Sequence, residues 1–330
     1  MTVTIKEIAR NLGVNPSTVS RALSGHPEVS QTTRESVLEM ADKLGYTPNL
    51  WAQNLVGAKS NLIGCLLLEF SNPFYVPMVR AIEDCADEHN YMVFLAESRR
   101  MLDQEKRIID RFLRSRVSGV IITPVLSDVT HLERLEKEGI PVIIAGRNSD
   151  NFNSINLDNF ESGRLAGTFL IDQGYKKIGY IQSGDKFNIP EKERFQGLKA
   201  RLNETGLDLC GNYCVGNNRI EGGEAAGKKW IEDPARPQAV FCSNDLLAMG
   251  FIQTVIKRGV LIPDDVAVLG HDDIPFADHF IVPLSTIAFP KYEMGTQAMG
   301  CLLHRINLTK SDRGDCLQKL EPSLVIRQSA

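Results

Sequence analysis

At 330 residues the chain is longer than one typical domain, so two or three folded units are expected. An apolar fraction of 43% and a charged fraction of 24% are those of a globular protein, and no run of about 18 apolar residues exists to span a membrane. The net charge of −4 conceals an asymmetry: residues 1–59 carry six basic and five acidic side chains, net +1, which leaves −5 elsewhere and biases the N-terminal end weakly toward DNA.

The chain opens with "MTVTIKEIAR", charged where a signal peptide needs an apolar core. Thr4 with Glu7 three residues later reads as a capping box that opens a helix. Asn15 caps the next helix, with Pro16 at the first helical position, where its missing N–H costs nothing. Thr32 and Glu35 form another candidate box, and Gly45 falls where a C-terminal cap is wanted. Ile5, Ile8, Ala9, Leu12, Val19, Leu23, Val37, Met40 and Leu44 recur at helical spacing and would close a small three-helix core. No strand is expected before about residue 58.

Ala9, Gly13 and Val19 suit a helix-turn-helix: a small residue where two helices touch, glycine in the turn, and a β-branched residue on the second helix's buried face. In that geometry the stretch "NPSTVSRAL" begins the recognition helix, whose N-terminal residues enter the major groove. The small hydroxyls of Ser17, Thr18 and Ser20 permit close approach and can bond phosphates, as can free N–H groups at the helix start. Arg21 is long enough to pair with a guanine edge. A capped surface helix in an ordinary bundle is the plainer reading of the same spacing.

From Asn61 the texture changes. Apolar runs of strand length ("LIGCLLLE", "YMVFLAES", "GVIITP", "PVIIAG", "KIGYIQ", "AVFCS", "VAVLG") alternate with stretches of crossover-helix length, for example 74–88, 160–173, 191–205 and 245–258. Continuous Val/Ile/Leu runs suit strands buried on both faces of a parallel sheet. The strands are too many for one modest sheet, so two doubly wound subdomains are expected, with ligand bound where the strands' carboxyl ends face a cleft.

The stretches "VTIKEIARNLGVNPSTVSRAL" and "VSQTTRESVLEMADKLGYTPNLWAQNL", followed by "NPFY", "SNDLLAMG" and "GHDDIPFADHFIVPLSTI" in matching order, resemble the LacI/GalR family of bacterial transcription repressors over essentially the whole chain. The resemblance implies an all-α helix-turn-helix headpiece joined to an α/β core of two doubly wound parallel-sheet subdomains, the type I periplasmic binding protein fold. The divisions it implies are a headpiece over 1–47, a hinge helix over 48–58, and a core over 59–330. Within the core, one subdomain takes about 61–159 and 291–321, the other about 160–290 and 322–330. It further implies a homodimer on a near-palindromic operator in double-stranded DNA. In the hinge "PNLWAQNLVG", Leu55 matches the leucine that the family wedges between base steps, which kinks the duplex at a cost of a few kcal/mol. Asn49 and Gln53 are candidate backbone contacts, and Thr4, Ser30 and Thr33 complete the candidate DNA-contacting set.

Three departures from the family's pattern stand in the DNA-binding part. Pro16 and Ser17 occupy places where larger base-reading groups are usual, so direct readout leans on Arg21. Glu28 lies near the expected path of the DNA and would oppose phosphates. Trp51 is bulky for a hinge position that faces its symmetry mate.

The core resembles ribose-type binding proteins as well, and that resemblance implies the cleft residues. "NPFY" supplies Asn72, Phe74 and Tyr75, whose rings can stack on sugar faces. Arg147 ends the run "PVIIAGR" at a strand's carboxyl end, and Arg194 offers a guanidinium fork to vicinal hydroxyls or a carboxylate. Asn244 and Asp272 follow strands and add amide and carboxylate partners, with Asn218 and Phe289 completing the set. Gly146 stands where an aspartate is common, Asn218 where an aromatic often stacks and Phe289 where a glutamine often bonds hydroxyls, which points to a different sugar or a sugar derivative. Plainer readings accompany these. Asn244 and Asp245 could cap the following helix, with capping favoured for Asp245. Asp158 reads as a cap, and Phe74 divides evenly between ligand and core.

An enzyme is the main rival class. His271–Asp273 and Asp278–His279 lie on one segment with no second ligand set, and no nucleophile elbow, P-loop or dinucleotide fingerprint is found, so no catalytic residue, metal or cofactor is expected. The seven cysteines are scattered, mostly in apolar runs, and only Cys210 and Cys214 are close; buried reduced thiols and a cytoplasmic location follow. The expectation is a repressor of carbohydrate-utilisation genes under allosteric control by a sugar in the cleft. The alternative is an effector-blind regulator or one controlled by a protein partner.

Overall fold

The computed structural model describes residues 3–23, 26–46, 60–185, 188–307 and 317–330. The chain forms two compact units, Met1–Ser60 and Asn61–Ala330. The expected hinge over 48–58, with Asn49, Trp51, Gln53 and Leu55, lies outside the described residues.

The first unit holds helices α1 (Ile5–Leu12), α2 (Pro16–Leu23) and α3 (Gln31–Lys43). The Glu7 carboxylate accepts from the Thr4 N–H at 2.8 Å and its hydroxyl at 3.2 Å, fixing the start of α1. Gly13 ends that helix at φ +67°, a left-handed conformation that glycine adopts without a Cβ penalty. Ile8, Ala9, Val19, Ala22, Val37 and Ala41 form the buried centre. The start of α3 differs from the Thr32–Glu35 expectation. Ser30 caps it, its hydroxyl accepting from the Thr33 N–H at 3.3 Å, because the helix begins one residue before Thr32.

The second unit is two six-stranded sheets. The first comprises β1 (Leu62–Leu67), β2 (Met92–Glu97), β3 (Gly119–Ile122), β4 (Val142–Ala145), β5 (Asn153–Leu157) and β11 (Leu317–Leu320), in the spatial order β11-β5-β4-β3-β1-β2. All its pairings are parallel, with Cys65 beside Leu95 and Ile121. The second comprises β6 (Ile178–Gln182), β7 (Gly211–Cys214), β8 (Ala239–Cys242), β9 (Ala267–Asp272), β10 (Ser285–Ala288) and β12 (Ser323–Val325), in the order β12-β10-β9-β8-β6-β7. Here only the β10–β12 pairing is antiparallel. Helices α4 (Tyr75–Glu88), α5 (Leu102–Arg114), α6 (Glu133–Lys137) and α11 (Lys291–Asn307) accompany the first sheet; α7 (Asn159–Asp172), α8 (Ile189–Glu204), α9 (Ile220–Glu232) and α10 (Asp245–Ile256) accompany the second.

The helix pairs pack backbone to backbone. A Cβ on Gly163 would lie 2.0 Å from the Arg194 carbonyl oxygen, and one on Gly197 would lie 1.9 Å from that of Phe160, so α7 and α8 need glycine at both points. Several elements carry no strong apolar pattern. β5 buries Asn153, Ser154 and Asn156, and the edge strands β7 and β11 are short and largely exposed. Among the described cysteines Cys65, Cys242 and Cys301 are buried, Cys85 and Cys210 half-buried, and Cys214 exposed; all six are free thiols. The expectation of burial thus holds for the three that lie within apolar runs or helix faces.

Candidate functional site

On the three-helix unit, Val19 and Ala22 face the core, which turns Ser17 and Arg21 outward, one helical turn apart. Asn15, Pro16 and Ser17 at the start of α2 and Arg21 in its last turn are exposed, while Thr18 and Ser20 are half-buried. The Asn15 carbonyl accepts from the N–H groups of Thr18 and Val19. Thr4, Ser30 and Thr33 sit at or beside the two helix starts, with the Ser30 and Thr33 hydroxyls 2.8 Å apart. Glu28 is paired: its carboxylate accepts from the Arg21 guanidinium at 3.2 Å, with both side chains well exposed. The residue expected to read a base therefore starts tied to the residue expected to repel phosphate, through a bond that costs little to exchange.

In the second unit, loops at the carboxyl ends of both sheets enclose a cavity with about 830 Å³ of unfilled space, part of it open to solvent. Asn72, Phe74, Tyr75, Arg147, Arg194, Asn218, Asn244 and Asp272 all line it. Phe289 does not. It is buried in the first sheet's core and packs edge-on against the His271 ring at 5.3 Å, since an apolar ring next to that wall finds more contact there than in a polar cleft. The expectation that Phe289 meets the ligand is corrected accordingly.

The lining is held by buried polar bonds. Asn72 Oδ1 accepts from the Phe74 N–H at 3.0 Å, which turns the chain into α4. Phe74 meets Tyr75 edge-on at 5.2 Å and packs against the cores of both sheets. Burial pushes the Tyr75 phenol up to about 12, so its hydroxyl stays neutral and can donate. Glu191, fully inside, accepts from the N–H groups of Ser183 and Gly184 and the hydroxyls of Ser183 and Ser243, which pins the loops after β6 and β8 together. Asn244 caps α10 by accepting from the Leu247 N–H at 2.8 Å, and its amide donates to the Asn218 carbonyl at 2.9 Å. Asp245 does not cap. Its buried carboxyl accepts from the Thr286 hydroxyl at 2.7 Å and the Ile274 N–H at 2.9 Å; burial, then the Asp272 charge, pushes its pKa well up. Asp158 caps α7 as expected, accepting from the Glu161 N–H.

Arg194 is buried and donates to Asn159 Oδ1 at 3.0 Å. Its Nη1 also lies 3.1 and 3.3 Å from the two ring nitrogens of His271. With His271 Nδ1 donating to Asp272 Oδ1 at 2.9 Å, Nε2 is left to accept from the arginine. Burial, then Arg194, holds the imidazole down to about 4, so it is neutral near pH 7. Lys291 donates to the backbone carbonyls of Asp272 and Asp273, which have φ of 110° and 49° at the end of β9.

Arg100, Asn159, Asp185 and Asn188 join the lining without having been expected. Arg100 follows β2 and meets Glu69 at 2.8 Å; Arg219, from the other sheet's loops, meets the second Glu69 oxygen at 3.2 Å. Burial alone would raise the Glu69 pKa, but the two guanidinium groups hold it below the usual value, so it is ionised and ties the two sides of the cavity. Asn188 caps α8, and its sequence signal was the "NIPE" start, with proline two residues after an asparagine cap. Among the described residues no group of three or more His, Cys, Asp or Glu could hold a metal ion.

Comparison with known proteins agrees with both halves. Residues 4–49 match the model for bacterial regulatory proteins of the lacI family, and residues 168–330 match a periplasmic binding protein-like domain. Catabolite control protein A of Priestia megaterium is 31% identical over 332 residues, covering 100% of this chain and 99% of that protein. This chain belongs to the LacI family of bacterial regulatory proteins. The lac repressor dimer solved with operator and the anti-inducer ONPF aligns with a TM-score of 0.87 at 25% identity, covering 100% of this chain and 99% of that one. A transcriptional regulator, CelR, solved with cellobiose aligns with a TM-score of 0.73 at 26% identity, covering 99% and 100%. The relatives are transcription regulators, not enzymes, and no helix among the described residues is long and apolar enough to cross a membrane.

Proposed function

We propose that the protein represses carbohydrate-utilisation genes as a homodimer on a near-palindromic operator, and that a sugar or sugar derivative in the cleft controls its operator affinity. The observation that carries this reading is the convergence, at the carboxyl ends of two parallel sheets, of an aromatic pair (Phe74, Tyr75) with Arg147, Arg194, Asn218, Asn244 and Asp272. Ring faces and bidentate polar groups together suit a polyhydroxylated ring. The cellobiose carried by the CelR relative supports the same class. In this reading residues 1–47 are the headpiece, 48–58 the hinge and 59–330 the core. Thr4, Asn15, Pro16, Ser17, Thr18, Ser20, Arg21, Ser30 and Thr33 face DNA, with Asn49 and Gln53 against its backbone and Leu55 in the minor groove at the operator's centre.

Sugar closes the cleft, shifts the paired first subdomains and disfavours hinge folding. Only a difference in sugar affinity between the two states can do this, and about 1–3 kcal/mol of coupling is expected. Operator binding by fluorescence anisotropy, with and without sugars that raise the melting temperature, tests the reading. Arg194→Ala is expected to abolish the sugar response while leaving operator affinity in place, and Leu55→Ala to reduce operator affinity and bending. A Leu55→Ala protein that binds and bends DNA as before removes the hinge part. Unchanged sugar response in Arg194→Ala removes the cleft part.

A further inference from the structure

Three guanidinium groups line the cleft, and their charges are not equally matched. Arg100 is balanced by Glu69 at 2.8 Å. Arg194 is held by Asn159 and His271, with Asp272 behind the imidazole. Arg147 has no such support: its Nη1 is buried without a hydrogen-bond partner, and among the described residues no carboxylate lies within 4.0 Å of it. Burial loosens its hold on the proton, outweighing Tyr75 and the more distant charges of Glu105 and Glu193, the sign expected of a desolvated cation with no carboxylate in contact. Two more buried atoms of the same lining are also unpartnered, the donor Arg194 Nε and the acceptor Asn218 Oδ1.

We propose that the effector is a sugar acid, its single carboxylate gripped by Arg147 and its hydroxyls by Arg194 and Asn218. The inference rests on the sugar reading of the cleft and narrows it. A half-buried cation whose inner nitrogen has no partner is costly, and an anion that arrives in the cleft removes that cost at the moment of binding. A carboxylate is planar and matches the guanidinium fork with two parallel bonds. A neutral sugar can bond Arg194 Nε and Asn218 Oδ1 yet leaves the Arg147 charge uncompensated. A phosphate brings about two charges, and Asp185 and Asp272 in the same lining oppose the second.

The test uses the full chain in thermal-shift and calorimetric titrations against matched sets: galactose, galacturonate and galactose 1-phosphate, and glucose, glucuronate, gluconate and glucose 6-phosphate. At least one acid is expected to bind about ten-fold or more tightly than its neutral parent and its phosphate. Arg147→Gln is expected to weaken that acid by about thirty-fold while changing the neutral parent by less than about three-fold. Free of ligand, Arg147→Met is expected to melt at or above the wild-type temperature, because an unmatched cation is gone. A neutral sugar that binds as tightly as its acid, unaffected by Arg147→Gln, overturns the acid inference and leaves the sugar reading standing. Preference for the phosphate overturns the single-charge argument. A ligand-free Arg147→Met protein that melts several degrees lower makes Arg147 structural and also overturns it. Silence of a folded wild-type protein toward every member, neutral and charged, overturns the sugar reading itself.

Discussion

The three-helix unit and the cleft handle polar side chains in opposite ways. In the first, partners are close in sequence and exposed: Thr4 with Glu7, Arg21 with Glu28, Arg34 with the His26 carbonyl. In the second the cleft's bonds are distant and buried: Thr286 with Asp245 across 41 residues, Ser243 with Glu191 across 52, and Arg194 with His271 across 77. Exposed local bonds are worth little and exchange readily with a partner such as DNA. Buried long-range bonds fix a shape in advance, so that a ligand meets groups already aimed.

Glycine sharpens the contrast and gives the largest expected effect. In the core it provides room: a Cβ at Gly197 would sit 1.9 Å from a backbone oxygen of α7, which cannot move without parting the helix that carries Arg194. In the headpiece it provides a dihedral: Gly13 has φ +67° and nothing within 4 Å of its missing Cβ. Gly197→Ala is expected to cost more than about 3 kcal/mol or to prevent folding. Gly13→Ala should cost about 1–2 kcal/mol, with Gly13→Asn recovering part of it. Urea denaturation of the three variants decides; equal costs at the two sites would erase the distinction.

The next effect is in pH. Buried His271 has its pKa lowered from 6.5 to about 4, so between those values the unfolded chain holds a proton that the folded one does not. Stability therefore falls as pH drops through this window, by on the order of 3 kcal/mol for this group. His271→Gln should flatten the slope between pH 6.5 and 4 relative to wild type. An unchanged slope would mean that the imidazole is protonated in place, and Arg194 would then need another acceptor.

The same contrast explains what was legible in the sequence. The headpiece could be read from residues alone, since caps, the Gly13 turn and the Ala9–Val19 contact are local signals. The core's sheets were legible wherever strands were continuous apolar runs, as in "GVIITP" and "PVIIAG". They were not where buried polar residues (β5) or short exposed edges (β7, β11) break that pattern. Eight of nine expected cleft residues line the cavity, and most of them follow a strand or stand at a helix start, where the sequence marks them. Arg100 and Asp185 were missed for lack of any local mark: each is an ordinary loop residue until the fold brings it to the cavity. Phe289 was misplaced for the complementary reason, as a sequence shows that an aromatic follows β10 but not which side of the wall it takes.

The smallest expected effect lies at the Arg21–Glu28 pair and bears on whether the headpiece's local bonds are as exchangeable as their exposure suggests. If Glu28 only competes with DNA for the guanidinium and repels phosphate, Glu28→Gln should tighten operator binding by roughly two- to five-fold at low salt, with the gain shrinking as salt rises. Anisotropy titrations at several salt concentrations read both quantities. A loss of affinity instead would mean that Glu28 holds Arg21 in the posture that reads a base. The headpiece would then share the cleft's strategy of aiming its groups before the partner arrives.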